Sequence, residues 1–372
     1  MNAEYRGSYR AGIIGHTGRG NYGHGLDLAF AGLPRVTIAA VADADEAGRR
    51  GAMERTGAGT SYGDYREMLA RERLDLVAVG PRHVDQREAM LLAAIEAGVK
   101  AIYTEKPFAR SLDEADRILE AAQARGVKIA VAHQNRAFAA PRLAMELLRA
   151  GKIGRLRVMR GFGKQDQRGG GQDLMVLGTH LLDLMRLLAG DARWCHARVT
   201  QEGRDVGPSD AHPADEGAGL IAGDDVIAHY GFDGGVTGSY ESMRAADGGS
   251  SDYFHLELGG TAGILAFWSS PTSPVSFYPR PFPLPDRPQD WQVVQPQQPR
   301  ESEGAQTGTM HAGNQWLVCD LLATLERGGE PLSSAADARA ALEMIMAVYE
   351  SHRTGQRVPL PLERREHPLL NW

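Results

Sequence analysis

The chain has 372 residues, which is enough for two domains and too many for one comfortable core. Apolar residues make up 42% of it and charged residues 24%, and the net charge is -6. No basic run could neutralise the phosphates of nucleic acid, so this composition excludes a nucleic-acid-binding protein. No apolar window reaches membrane-spanning length, and the first ten residues lack the apolar core of a signal peptide. The two distant cysteines, Cys195 and Cys319, form no disulfide framework. These three observations together predict a cytoplasmic protein.

The first 135 residues alternate between short apolar runs and amphipathic runs. The apolar runs predict buried strands, and the amphipathic runs predict helices between them. Near-continuous apolar strands that alternate with helices are typical of a doubly wound parallel sheet covered on both faces. The first helix is predicted over about Gly25–Gly32, and the predicted strands are Arg10–Gly15, Val36–Asp43, Asp75–Pro81, Lys100–Pro107 and Val127–Asn135.

The pattern changes after residue 135. Strand-like runs with no long helix between them fill Trp194–Trp268 and predict an antiparallel sheet. The Pro- and Gln-rich segment 269–308 is predicted to be an irregular loop, and helices over about 311–327 and 334–354 close the chain. This second part is therefore predicted to be an α+β domain. We expect two domains, 1–135 and 136–372, with at least one C-terminal helix packed back on the first.

A glycine-rich turn follows the first predicted strand. The sequence GHTGRGNYGHG contains a formal G-x-G-x-x-G match at Gly18, but a phosphate-binding turn needs its first glycine directly off the strand, where Gly15 stands. Counting from Gly15 puts Thr17 in the middle glycine position and Gly20 in the last. The turn predicts that backbone N–H groups and a helix N-terminus meet the pyrophosphate of a dinucleotide.

An acidic residue, Asp43, closes the second predicted strand. A carboxylate in this place accepts hydrogen bonds from the ribose hydroxyls of adenosine, and it repels a 2′-phosphate. The sequence therefore predicts NAD in preference to NADP. Arg49 and Arg50 are interpreted as part of a solvated helix face. The alternative interpretation is a flexible loop followed by a helix that Asp43 caps.

The sequence TEKP ends the fourth predicted strand, at the edge of the sheet where open parallel sheets bind ligands. Lys106 can point at a bound nicotinamide and substrate there, and Pro107 fixes the backbone beyond it. Glu105 either orients the lysine or caps a neighbouring helix. HQNR, at His133–Arg136, is predicted to occupy the same edge one strand further along. Taken alone, a Glu-Lys pair at a strand end is more often surface charge than a site.

These features together resemble the glucose–fructose oxidoreductase, inositol dehydrogenase and MocA family. The resemblance rests on the glycine turn, the acid after the second strand, the Glu-Lys-Pro motif and GKIGRLRVMRG at the start of the second domain. It implies an N-terminal Rossmann domain and a C-terminal domain with a large open, mostly antiparallel sheet, through which members often form homodimers or homotetramers. It also implies hydride transfer between a nicotinamide and a sugar, polyol or related compound, with Lys106 contacting both.

The segment GGGQDLMVLGTHLLDLMRLL predicts a glycine run and an amphipathic helix. The family carries D-x-G-x-H here, with the histidine as acid/base and the aspartate as its partner. By resemblance His180 matches the histidine and Gly178 the glycine, but Val176 stands in the aspartate's place. Asp183, on the same predicted helix face, or Asp173 could compensate for that departure.

We predict an NAD-dependent dehydrogenase in which His180 takes the proton of a sugar, polyol or glycoside hydroxyl and Lys106 stabilises the developing alkoxide. No spacing of His, Cys and Asp suggests a metal site. One alternative is a redox-neutral enzyme that uses tightly bound NAD transiently to modify or cleave a glycoside, and another is a non-catalytic nucleotide or sugar sensor. The candidate substrate residues are Asn135, Arg136, Lys164 and Asp183.

Overall fold

The computed structural model describes residues 8–245, 253–284, 286–295 and 309–372, which divide into two compact units. The first seven residues, which enter the prediction about a signal peptide, lie outside the described part of the chain. The first unit takes its residues from Met1–Ala109, Glu114–Ala132 and Met310–Ala335. The second takes its residues from Arg110–Asp113, His133–Thr309 and Ala336–Trp372. The domain boundary at residue 135 stays a prediction.

The first unit contains a parallel sheet of six strands. In chain order these are β1 Tyr9–Ile14, β2 Val36–Ala42, β3 Thr60–Tyr62, β4 Leu76–Val79, β5 Ala101–Thr104 and β6 Lys128–Val131. They lie in the order β3-β2-β1-β4-β5-β6, all parallel, which is the order of a Rossmann fold. Every side chain of β4 and β5 is buried, so both faces of the sheet centre are covered. The predicted doubly wound sheet is confirmed, and β3 is a strand that the sequence pattern did not predict.

The helices begin and end where capping residues and glycines allow. In chain order they are α1 Glu46–Thr56, α2 Tyr65–Arg71, α3 Arg87–Glu96, α4 Leu112–Arg125, α5 Ala139–Arg149, α6 Gly171–Asp173, α7 Thr179–Ala189, α8 Met310–Arg327 and α9 Ala335–Thr354. For example, the Asp45 carboxylate accepts a hydrogen bond from Gly48 N at 2.6 Å before α1, and Gly57 ends that helix with a φ of 69°. Helix α8 packs against β5 and β6 within the first unit.

The helix predicted over Gly25–Gly32 is wrong. The chain between β1 and β2 forms turns and one 3-10 turn, Leu26–Leu28. Left-handed residues stand at both limits of the predicted segment, with φ angles of 81° at Gly25 and 73° at Gly32, and a helix cannot run through such residues. Positive φ angles of 63° to 84° occur at Gly18, Gly20, Gly23 and Gly25. The connection therefore contains no helix whose N-terminus could meet a pyrophosphate, so loop amides remain for that contact.

The second unit contains a ten-stranded sheet with neighbours in the order β17-β16-β15-β14-β7-β13-β12-β8-β18, and β9 pairs with β8. Its strands are β7 Leu156–Phe162, β8 Trp194–Gln201, β9 Arg204–Asp205, β12 Asp225–Gly231, β13 Thr237–Met243, β14 His255–Gly260, β15 Ile264–Trp268, β16 Val275–Tyr278, β17 Gln292–Val294 and β18 Val358–Pro359. A small hairpin, β10 His212–Pro213 with β11 Leu220–Ile221, stands apart from this sheet. β7 and β13 are parallel and the other pairs antiparallel, which confirms the predicted mostly antiparallel sheet.

The segment 269–308 was predicted to be an irregular loop. In the structure it is only partly irregular. It contains β16 and β17, which extend the large sheet at one edge. Val275, Phe277 and Tyr278 are buried in β16, so side-chain packing outweighs the turn signals of the neighbouring prolines. Residue 285 and residues 296–308 of the segment lie outside the described part of the chain.

A continuous helical run carries the histidine that the sequence singled out. α6 passes into a π-helical segment, Leu174–Gly178, and then into α7, whose second residue is His180. A π-helical turn widens the helix locally and is found frequently at functional sites. The predicted helix is thus present, with a local irregularity directly before His180.

Three findings concern membranes, metals and thiols. Within the residues that the structure describes, no helix is both long and apolar enough to cross a lipid bilayer. The same residues contain no cluster of three or more His, Cys, Asp or Glu side chains that could hold a metal ion. Both Cys195 and Cys319 carry free thiols.

Candidate active site

Glu105, at the carboxyl end of β5, is fully buried and holds the glycine-rich loop. Its Oε1 accepts a hydrogen bond from His24 N at 2.6 Å and lies 2.7 Å from His24 Nδ1, and its Oε2 accepts one from Lys106 N at 3.1 Å. Burial alone would raise the pKa of Glu105, but the interactions with His24 and Lys106 lower that pKa to about 2. Glu105 is therefore ionised at neutral pH and ties the loop to the Glu-Lys-Pro turn.

Lys106 lies at the same sheet edge with 6% of its surface exposed, and a cis peptide bond joins it to Pro107. The guanidinium of Arg87, in the first turn of α3, holds the backbone around it. It donates to the carbonyl oxygen of Glu105 at 2.6 Å, and also to those of Pro107 and Pro81. One buried cation thus fixes the backbone after β4 and after β5. Sequence reasoning missed Arg87, although an arginine at the start of an apolar helix (REAMLLAAIE) was a signal.

The loop is also held from α8. Asn314 of that helix is fully buried, and its Nδ2 donates to the carbonyl oxygen of His24 at 2.9 Å. Its Oδ1 accepts a hydrogen bond from the hydroxyl of Tyr103 in β5 at 2.8 Å. His24, which sequence reasoning also missed, is therefore fixed through its backbone and its ring.

The glycine turn needs glycine at two of the predicted positions. Gly15 follows β1 directly, and a Cβ there would lie 2.2 Å from the ring of Tyr22. Gly20 has a φ of 84°, and a Cβ there would lie 2.6 Å from Arg82 N. Gly18 has the same φ, but the space beside it is open. The turn therefore packs closely against the protein at both ends and leaves room at its tip.

Asp43 closes β2 as predicted and is 2% exposed. Its carboxylate accepts hydrogen bonds from Thr17 N at 3.0 and 3.1 Å, from Thr17 Oγ1 at 2.8 Å and from Asp45 N at 3.0 Å. Arg49 is not simply part of a solvated face, because its Nη1 donates to the carbonyl oxygen of Asp43 at 2.6 Å. The predicted ribose-binding carboxylate thus also anchors the start of the glycine turn.

A cavity of about 260 Å³ opens beside this carboxylate. Its lining includes Gly15, His16, Asp43, Tyr65, Arg66 and Met90. The guanidinium of Arg66 lies 4.5 Å from the centre of the Tyr65 ring. A Rossmann sheet binds the adenosine half of its dinucleotide at the carboxyl ends of these strands. The cavity, the carboxylate and the backbone amides of the turn therefore fit NAD, which Gly15, Thr17, Gly18, Gly20 and Asp43 would hold.

The second unit brings two imidazoles together. His180 is 6% exposed, and the centre of its ring lies 5.4 Å from that of His133, with the ring planes at 71°. His133 Nε2 lies 3.0 Å from Thr179 Oγ1, and its Nδ1 lies 3.6 Å from Asp183 Oδ1. Sequence reasoning placed HQNR on a sheet edge but did not single out His133, which contacts both the candidate base and a carboxylate.

Asp183 and Arg136, both predicted substrate residues, form a buried ion pair. Arg136 Nε and Nη2 each donate to the Asp183 carboxylate at 2.6 Å, and Nη1 donates to Asp337 at 3.2 Å. Burial would raise the pKa of Asp183, but the charges of Arg136, His133 and Arg186 and the hydrogen bonds from Arg136 together outweigh burial and lower that pKa. Arg136 also lies in a 3-10 turn, Gln134–Arg136, and not at the end of a strand as predicted, since β6 ends at Val131.

Asp173, the other carboxylate considered for His180, is also fully buried. It accepts hydrogen bonds from Lys164 N at 2.8 Å and from Ser242 Oγ at 2.6 Å, and burial raises its pKa. The side chain of Lys164 is 29% exposed, while Asn135 is 3% exposed and donates to Ser269 Oγ. Asp173 thus joins β13 to the backbone that follows β7.

Comparison with protein families gives the identity of both halves. The family model described as an oxidoreductase family with an NAD-binding Rossmann fold matches residues 9–133. The one described as the C-terminal alpha/beta domain of an oxidoreductase family matches residues 146–360. The chain belongs to the glucose–fructose oxidoreductase, inositol dehydrogenase and MocA family. The resemblance stated from the motifs is confirmed, and with it the prediction of an NAD-binding oxidoreductase.

Individual family members extend the comparison. Levoglucosan dehydrogenase of Pseudarthrobacter phenanthrenivorans is 28% identical over 287 residues, which cover 68% of this chain and 73% of the relative. D-apiose dehydrogenase of Paraburkholderia graminis is 27% identical over 376 residues, covering 92% and 88%. A structure of levoglucosan dehydrogenase with NADH and levoglucosan aligns over 95% of this chain and 100% of that one, with a TM-score of 0.74 and 22% identity. This structural likeness shows that the two chains share a fold.

Proposed function

We propose that this enzyme transfers a hydride between NAD and a hydroxyl-bearing carbon of a sugar, polyol or glycoside. Membership of an NAD-binding oxidoreductase family and the two sugar-dehydrogenase relatives support this substrate class. The observation that carries the proposal is the position of Lys106, which is 6% exposed and lies at the carboxyl edge of the parallel sheet, where open parallel sheets bind their ligands.

The chemistry divides between the cofactor and the chain. Bound NAD supplies the hydride acceptor. In our proposal, the Lys106 ammonium binds the substrate oxygen and stabilises the negative charge that develops there. A ring nitrogen of His180 takes the proton of the same hydroxyl, because imidazole exchanges protons near neutral pH. Glu105 acts indirectly, because it fixes both the loop that faces the cofactor and the backbone of Lys106.

The substrate residues predicted from the sequence remain part of the proposal with different roles. Asn135 and Lys164 offer polar groups for substrate hydroxyls. Arg136 and Asp183 bind each other, so we propose that they hold the site together and do not contact the substrate directly.

We also propose that the enzyme is a cytoplasmic homodimer or homotetramer. Large apolar side chains are exposed on strands of the second sheet, among them Ile227 at 47%, Met243 at 45% and Trp268 at 37%. Association over this sheet would remove them from water. Analytical ultracentrifugation of the full chain tests the proposal, and a single monomeric species would contradict it.

The function is tested by a dehydrogenase screen. Anhydrosugars, aldoses, polyols and cyclitols are offered with NAD and NADP separately, and the absorbance of the reduced nicotinamide is followed. We expect NADH to accumulate in step with product. Consumption of a substrate at constant absorbance would instead indicate the redox-neutral alternative.

The role of Lys106 is tested with a matched pair of variants. Lys106→Met should lower kcat by about 100- to 1000-fold, because a charge aimed at the developing alkoxide is lost. Lys100→Met is the control, since Lys100 stands at the start of the same strand, its side chain is 61% exposed and it pairs with Asp75. We expect the control to retain the parent rate. Equal kcat in all three proteins would contradict the role proposed for Lys106.

A further inference from the structure

We infer that His133 is a positioning residue for His180, an inference that rests on the proposed role of His180 as the base. His133 is fully buried, and its ring meets that of His180 in an edge-on contact. Edge-on aromatic pairs have a preferred geometry, so this contact restricts how the His180 ring can turn. Val176, one helical turn before His180, is apolar and offers no charge for that purpose.

One ring nitrogen of His133 lies within hydrogen-bond distance of a hydroxyl at 3.0 Å, and the other faces a carboxylate oxygen 3.6 Å away. Its Nε2 contacts the hydroxyl of Thr179, the residue directly before His180, and its Nδ1 contacts the carboxylate of Asp183, nearly one helical turn after it. Rotation of the His133 ring would break both contacts. The ring therefore spans the part of α7 that carries His180.

The carboxylate that faces His133 is fixed by a chain of alternating charges. Arg136 binds Asp183 with two hydrogen bonds of 2.6 Å and Asp337 with one of 3.2 Å, and Arg186 Nη1 also lies 3.1 Å from Asp337. Arg136, Asp337 and Arg186 are thus joined in series to the Asp183 carboxylate. A network in which each member has a partner is rigid, and it fixes the orientation of His133.

Together these contacts couple Asp183 to His180 through a second imidazole. Asp183 orients the His133 ring and polarises it, and the ring fixes the orientation of His180. His180 can then present one ring nitrogen to a substrate hydroxyl without first having to turn. Removal of the His133 nitrogens should leave a base that is present but less well oriented.

The test replaces His133 with Phe, which keeps an aromatic ring and removes both nitrogens, and with Asn, which keeps polar atoms. His367→Phe is the matched control, because His367 is 3% exposed, lies in the same unit and has its ring centre 5.9 Å from that of Tyr349. Each full-length protein is labelled with ¹³C in its histidine rings, and the His180 signal is assigned by its absence in His180→Gln.

Two readouts are taken. We expect His133→Phe to change the tautomer or the titration midpoint of His180 in the NMR spectrum, and to lower kcat about tenfold while the KM for NAD is unchanged. The His180 signal and the kcat of His133→Asn should lie between those of His133→Phe and those of the parent. His367→Phe should match the parent in both readouts. A purely structural role for His133 would not move the His180 signal selectively.

The outcomes separate this inference from the proposed function. An unchanged His180 signal together with an unchanged kcat in His133→Phe would overturn the inference. A changed His180 signal in a protein whose parent form reduces no NAD with any substrate would support the coupling and contradict the proposed function. If His133→Phe does not fold, the same comparison is made with His133→Asn, and parent-like values there would overturn the inference.

Discussion

The two units use their buried carboxylates differently. In the first unit, Glu105 binds backbone N–H groups of His24 and Lys106 as well as the ring of His24, so it organises a loop. In the second unit, Asp183 binds the side chains of Arg136 and contacts that of His133, so it organises a network of side chains. Backbone partners persist whatever side chain they carry, whereas a side-chain network can be disrupted at each member. The first site should therefore depend on one residue, and the second on several.

The largest effect is expected from Asp183→Asn, which removes the carboxylate that binds the buried Arg136 guanidinium with two hydrogen bonds and leaves the longer contact to Asp337. Loss of one partner of a buried ion pair costs about 3–5 kcal/mol in the free energy of unfolding. Urea unfolding of the full chain measures this loss of free energy. Asp233→Asn is the matched control, because Asp233 pairs with Arg193 in a pair whose side chains are 57% and 69% exposed, and such pairs contribute below about 1 kcal/mol.

A double variant sharpens the same comparison. Arg136→Met combined with Asp183→Leu removes both charges and leaves apolar side chains, so much of the lost stability should return. Equal losses in Asp183→Asn and Asp233→Asn would contradict the view that the second unit depends on this network.

The next effect is expected from Glu105→Gln and depends on pH. The folded state lowers the pKa of Glu105 from 4.5 to about 2, so ionised Glu105 stabilises the fold by about 3 kcal/mol above pH 4.5. That contribution is lost as the pH falls from 4.5 towards 2. The free energy of unfolding of the parent should therefore fall over this range. That of Glu105→Gln should be lower at neutral pH and should not show this part of the pH dependence.

Thermal unfolding between pH 2 and pH 7 checks this prediction. Glu330→Gln is the control, because Glu330 is 67% exposed where it pairs with Lys128, and its removal should leave the slope intact. Parallel pH profiles for the parent and Glu105→Gln would show that the first unit does not depend on Glu105 in the way proposed.

The smallest effect is expected from Thr17→Val, which removes the hydroxyl that donates to Asp43 but keeps the Thr17 backbone N–H bound there. One hydrogen bond contributes about 1 kcal/mol, so the Kd for NAD should rise about fivefold. Isothermal titration calorimetry measures it. Thr56→Val is the control, because the Thr56 hydroxyl donates to the Ala52 carbonyl within α1. A Kd equal to that of the control would mean that the backbone contact alone holds the turn.

Much of the first sheet could be predicted from the sequence, because its central strands are apolar throughout. Leu76–Val79 and Ala101–Thr104 lie inside predicted strands. The three-residue strand Thr60–Tyr62 is too short and too exposed to show a pattern. The helix predicted over Gly25–Gly32 was wrong because left-handed glycines bound that stretch. β16 was missed because its burial depends on packing against α5, a helix that comes much earlier in the chain.

The site shows the same limit. Lys106 and His180 stood out because short motifs surround them, and their roles stay predictions. His24, Arg87 and His133 did not stand out, because each acts on residues far along the chain. His24 contacts a carboxylate 81 residues away, and His133 contacts a threonine 46 residues away. Only tertiary packing creates such pairs, so a single sequence carries little signal for them.

The position of α8 has a consequence for synthesis of the protein. This helix belongs to the first unit but follows all the strands of the second sheet except β18 in the chain, and its Asn314 donates to the carbonyl of His24. A nascent chain that has only reached residue 135 therefore lacks the segment that covers β5 and β6. The first unit can therefore fold completely only after residues 310–335 have been synthesised, and a fragment cut at residue 135 would expose the side of β5 and β6 that α8 covers.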